Sequence, residues 1–264
     1  MPHRPELILE FTGGVILPIT FRKLLPAIGF GWATRVLGFI SLALLCVAVL
    51  VLRTRVTPKK SRSLLQLSAF RSAPYTLNSL GILIGFSGLY FPMFYIQSYA
   101  LARTHVSRDY AFYLLAIMNG SSAFGRIIPN FLADKVGPLN MLTPCTLAAA
   151  TLCLGWIDIT DTAGITVFSI FYGFFSGAFV SLIPPTIVEL TPDMSMVGTW
   201  MGMSLFIGAF GLLIGNPIAG ALLEVATKKF GSAQGFAGGM VLGATLLFGV
   251  ARLLRSRELK TWKV

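Results

Sequence analysis

The chain has 264 residues, of which 55% are hydrophobic and only 12% charged, and it carries a formal net charge of +11. A typical soluble chain is about 25% charged, so this composition argues against a water-soluble globule. The cations gather beside apolar runs, at Arg53, Arg55, Lys59, Lys60, Arg62 and Arg71 and again at Arg252, Arg255, Arg257, Lys260 and Lys263. That placement orients membrane segments and argues against a nucleic-acid partner.

In chain order, the opening Met1-Pro2-His3-Arg4-Pro5-Glu6 is not a signal peptide, since no uninterrupted apolar core follows before Glu10. The apolar piece from Phe11 to Phe21 is too short to cross a bilayer and reads as the tail of a span. Arg22 to Arg35, with Pro26 and Gly29, is expected to be a short basic connection, and 36–52 the first full span. The segment 53–75 is expected to be a basic cytoplasmic linker. Beyond it, runs at 76–102, 110–132, 136–157, 162–188, 194–223 and 230–251 are each near the roughly 20 residues that cross the hydrocarbon core. The expected organisation is a remnant at 1–52, the linker, a six-span bundle at 76–254 and a cytoplasmic tail at 255–264. Such lengths exclude barrel strands and make the fold class all-α, a polytopic helical bundle.

Gly pairs four apart, at 81 and 85, 173 and 177, 198 and 202, 211 and 215, and 239 and 243, allow close helix crossings. Pro92, Pro129, Pro184, Pro185 and Pro217 lie inside spans, where proline marks kinks or broken helices. Cys46, Cys145 and Cys153 sit in apolar runs without metal-ligand spacing and read as small hydrophobes. His3 and His105 are far apart, Glu189 and Asp193 stand four apart with no basic residue between, and no phosphate-cradling loop is present. An enzyme is therefore not expected, nor a metal or cofactor.

Arg126 is the one charge inside the long apolar runs. A charge at that depth costs about 2.5 to 3.5 kcal/mol on insertion scales, so its default reading is functional. At helical spacing Asn119, Ser122, Arg126 and Asn130 share a face, a polar stripe expected to look at a cavity or a partner. The guanidinium fork of Arg126 suits a carboxylate; a structural arginine is the other reading. Tyr95, Gln97, Ser98 and Tyr99 offer polar groups near one span end, either to a substrate or to the membrane interface. Phe171, Tyr172 and Phe175 are similar, with core packing favoured, and Asn216 is a further polar residue deep in a span.

Gly13 to Ile19, Ile28 to Ile40, Tyr90 to Ala100, Gly125-Arg126 with Ala133-Asp134-Lys135-Val136-Gly137, and Gly215 to Gly220 together resemble fungal members of the monocarboxylate transporter family, within the major facilitator superfamily. The resemblance runs from about residue 13 to the end. It implies two six-helix halves around a midplane site, of which this chain would hold the end of the fifth helix, the sixth and the whole C-terminal half. The expectation is a truncated secondary transporter for a small, monocarboxylate-like organic anion. The alternatives are a half-transporter that moves nothing and only associates with another half, a copy or another membrane protein, and a transporter of a vitamin or secondary metabolite. Residence in the lipid bilayer is expected, in the plasma membrane rather than the vacuolar one. Asp134 and Lys135 then read as a cytoplasmic gate lock or as a plain turn. Animal members carry an acid four positions before this arginine, where the present chain has Ser122, which leaves proton coupling through this helix without its acid.

Overall fold

The computed structural model describes residues 5–52, 65–104, 106–223 and 230–264, with side chains from residue 16 onward except residue 18. His3, His105, the cations between 53 and 62, and Lys228 and Lys229 lie outside the described residues. All regular structure among the described residues is helical. Seven helices are long and apolar enough to cross a membrane. The chain divides into two units, Met1–Arg62 and Ser63–Val264.

The first unit is helix α1, Pro5–Val51. Its membrane-length part runs Ile19–Val51, so the connection expected at 22–35 is helical and the span begins well before 36. Three cations do not end a helix, because their side chains leave the backbone ladder untouched. What interrupts it is Gly29, at φ 73° and ψ 167°, a conformation open to glycine and strained for any other residue. Phe21 and Phe30 meet edge-on across it, 6.0 Å between ring centroids.

The second unit begins inside the stretch expected to be linker. A 3₁₀ turn at Leu67–Arg71 leads into α2, Ala73–Leu89, and this entry is pinned. Trp200 donates from Nε1 to Gln66 Oε1 at 2.8 Å, and Tyr75 donates from its hydroxyl to the Trp200 carbonyl at 2.8 Å. The structured bundle therefore starts about ten residues before the apolar run at 76–102. A sequence window sees hydropathy, not one glutamine matched to one indole.

The remaining helices are α3 Phe91–Arg103, α4 Arg108–Val136, α5 Pro138–Gly155, α6 Thr162–Leu190, α7 Val197–Ala221 and α8 Gly231–Leu259. Their starts follow local chemistry. Ser107 caps α4 by accepting from the Tyr110 amide, Asp161 caps α6 by accepting from the Gly164 amide, and Pro74, Pro92 and Pro138 occupy first turns, where a missing N–H costs nothing. Of the mid-span prolines, Pro92 alone coincides with an interruption, at Tyr90 between α2 and α3. Pro129, Pro184, Pro185 and Pro217 lie inside uninterrupted helices.

Glycine decides how closely the helices cross. In the seam between α4 and α6, which run parallel, a Cβ on Gly125 would meet the Phe174 carbonyl, one on Gly173 the Met118 carbonyl, and one on Gly177 the Ser122 carbonyl. The α2–α7 seam repeats this at Gly211 and Gly215, against the carbonyls of Leu83 and Ser87. Gly81 and Gly85 instead receive the rings of Phe248 and Phe179. Gly198, Gly202 and Gly239 face open space. Backbone-to-backbone approach replaces the hydrophobic drive that lipid does not supply. The core is aromatic, with Trp156 stacked on Phe168 at 5.0 Å and edge-on to Tyr99 at 4.8 Å.

Candidate functional site

The stripe on α4 lies along the border of its buried face. Ser122 is buried, whereas Asn119, Arg126 and Asn130 are half-buried. The Ser122 hydroxyl donates to the Asn119 carbonyl at 2.8 Å, and its own carbonyl stands against Gly177. Asn130 donates from Nδ2 to the Arg126 carbonyl and to the Ser181 hydroxyl on α6, both at 2.7 Å. Two of the four residues of the expected stripe are thus tied into helix packing. Helical spacing says which residues share a face, but not that α6 covers the edge of it. Ser122 is removed from any open surface, and Arg126 remains half-buried between it and Asn130, one turn from each.

A second group forms where α3 and α7 part. Phe94, Tyr95, Asn216 and Pro217 line an open cleft of about 450 Å³, and the Tyr95 hydroxyl stands over Gly220. The structure therefore brings together Tyr95 and Asn216, residues 121 positions apart. Gln97 is half-buried and Ser98 exposed, on other faces of the same short helix. Tyr99 is buried, with its hydroxyl donating to the carbonyls of Ile159 at 2.6 Å and Trp156 at 3.3 Å. It holds the turn after α5 in place of facing the Tyr95 cleft. Trp156, edge-on to Tyr99, keeps that ring on the turn.

Phe171 is exposed and Phe175 half-buried, while Tyr172 is buried and donates its hydroxyl to the Leu89 carbonyl at 2.7 Å. That bond meets the chain at the α2–α3 break, immediately before the short helix that carries Tyr95. Sequence reading missed this pin; the nearest signal is Pro92, whose missing N–H removes the i+4 donor of the Gly88 carbonyl, one residue before Leu89. Asp134 and Lys135 are both exposed at the end of α4. The contact at Asp134 uses its backbone carbonyl, which accepts from Lys263 Nζ at 3.2 Å, and the Lys135 ammonium lies over the Phe131 ring at 5.1 Å. Among the described residues no group of three or more His, Cys, Asp or Glu is placed to hold a metal ion.

No protein-family model matches the sequence. Whole-sequence comparison does find relatives. An MFS-type transporter of Emericella nidulans, dbaD, is 42% identical over 212 residues, 80% of this chain and 48% of that protein. The aspyridones efflux protein apdF of the same organism is 39% identical over 252 residues, 93% of this chain and 50% of that protein. The chain is a relative of fungal MFS-type transporters. It spans about half the length of the curated relatives it matches. Among solved structures, the Escherichia coli fucose:proton symporter FucP superposes with a TM-score of 0.62 at 15% identity, covering 79% of this chain and 52% of that one. At that identity the match speaks for the fold, which is a major facilitator helical bundle. With seven membrane-length helices, the chain is an integral, multi-pass membrane protein.

Proposed function

We propose that this chain supplies one helical half of a secondary transporter that moves a small organic metabolite bearing an acidic group, and that Arg126 recognises that group. The observation that carries the reading is Arg126 itself, half-buried on a membrane-length helix. An arginine there stays charged at any cellular pH and offers two parallel donors to a carboxylate. The unit from 73 to 259 reads as the C-terminal half, with α1 preceding it. The cleft of Tyr95 and Asn216 would add a hydroxyl and an amide for orienting the rest of the solute. The relative apdF is an efflux protein, and a membrane half this similar to it suits an acidic secondary metabolite carried outward across the plasma membrane better than a simple monocarboxylate. Arg126, Asn119, Tyr95, Gln97 and Asn216 are the substrate-contact candidates, and Asp134 with Lys135 the gate.

Transport in this architecture is rocking of one bundle against another around a site between them. The test therefore co-expresses this chain with the separately encoded first half of a relative, reconstitutes the pair in vesicles and follows labelled acidic and neutral metabolites. Saturable movement of the acidic solute, lost in Arg126→Ala and partly restored in Arg126→Lys, supports the reading. Equal handling of acidic and neutral solutes by both forms overturns the role of Arg126.

A further inference from the structure

At the end of the bundle where α4 turns into α5, the last five residues fold back on the protein. Helix α8 closes at Lys260, whose φ of 51° is the one left-handed non-glycine conformation among the described residues, and the Ser256 hydroxyl donates to the Thr261 carbonyl at 2.6 Å. This reversal returns the chain toward Asn140 on α5. Asn140 donates from Nδ2 to the Trp262 carbonyl at 2.6 Å and from its backbone N–H to a main-chain oxygen of Val264 at 2.9 Å, while its Oδ1 accepts from Arg252 Nε on α8. Lys263 reaches Asp134 as described. Val264 is fully buried in a small cluster with Leu139 and Leu190, separate from the main core. The turn is shaped for it: Gly137, at φ 106°, leaves no room for a Cβ because the Val264 backbone lies there.

We propose that residues 260–264 form a latch over the α4–α5 turn, with Val264 as its bolt and Asn140 as its keeper. One short segment thereby ties α4, α5, α6 and α8 at a single end of the bundle. The turn that presents Asp134 and Lys135 can shift only when Val264 leaves its pocket, so displacement of the tail is a regulatory handle on that turn. The small cluster suits the role: three apolar residues outside the main core can open as a unit without disturbing the bundle.

The test is thiol labelling of the full chain in detergent with a hydrophilic maleimide, in a Cys46→Ser background that removes the exposed native cysteine. Leu139→Cys reports the pocket, Lys135→Cys the open surface, and native Cys153, fully buried in the main core, the integrity of the bundle. With the tail intact, Leu139→Cys should label far more slowly than Lys135→Cys. Adding Val264→Asp should speed the Leu139→Cys reaction about tenfold or more, since a charge cannot occupy the pocket, while Cys153 stays protected. Asn140→Ala should give a smaller rise, about threefold, because the backbone bond to Val264 survives it. Should Val264→Asp expose Cys153 as well, Val264→Ala decides by the same ratio. Leu139→Cys labelling as fast as Lys135→Cys in the intact chain, or unchanged by the Val264 substitutions, overturns the latch.

Discussion

Helix α7 shows two kinds of contact along one length. From Ser204 to Gly215 it lies against α2 so closely that Gly211 and Gly215 touch opposing carbonyls, and Ser204 meets Ser79 hydroxyl to hydroxyl at 2.8 Å. Past the break at Tyr90 its neighbour is α3, and the two helices open into the cleft of Tyr95 and Asn216. The difference teaches where a membrane bundle can move. Glycine seams bring backbones together with no side chain left to yield, whereas the region beyond a break is held by a few side-chain bonds, of which the one from Tyr172 to Leu89 is an example.

The largest expected effect comes from filling a seam. Gly125→Leu should push α4 off α6 and cost about 3 kcal/mol or more, overpacking against backbone being harder to relieve than against a side chain. A chain that still elutes as a folded species in detergent at wild-type yield and thermal midpoint would erase the distinction between tight and open regions. Arg126→Ala comes next. In the reconstituted two-half transporter it should lower transport of the acidic metabolite about a hundredfold, or about 2.7 kcal/mol, with protein abundance near normal. Initial rates across substrate concentration check this, and an unchanged rate would move Arg126 to a structural role.

Tyr172→Phe sharpens the comparison from the other side. The ring remains stacked on Phe168 and only the hydroxyl bond to the break is lost, so stability should fall by about 1 kcal/mol. Hydrogen exchange should rise at residues 89–95 more than along the α4–α6 seam; uniform exchange would show that the break is not held separately. The smallest effect is expected at Gly198→Ala, where a Cβ meets nothing within 4 Å. Added helix propensity should leave stability unchanged or raise it by about 0.5 to 1 kcal/mol, as read from the thermal midpoint. A loss as large as that of Gly125→Leu would mean that helix glycines are not sorted by what they touch.

Composition and the spacing of charge-free runs were enough to set the fold class and the number of membrane-length helices, because the bilayer's thickness imposes length and apolarity on every segment alike. The same signal misplaced the start of the first span and the end of the 53–75 stretch. The helix α1 carries cations without ending, and the entry to α2 is held by Gln66, Tyr75 and Trp200, residues that no hydropathy window links. Arg126 stood out in the sequence because a single charge in an apolar run is conspicuous by itself. Whether a polar neighbour serves the same surface was not legible there. Ser122 and Asn130 share the face of Arg126 by spacing and are tied to backbone and to α6 by contact, while Tyr95 finds Asn216 across 121 residues and Tyr99 finds the turn after α5. Spacing along a helix defines a face through the regular rotation of the backbone, and that is local. What the face meets depends on which other helix lies against it and how closely, which only the packed bundle decides.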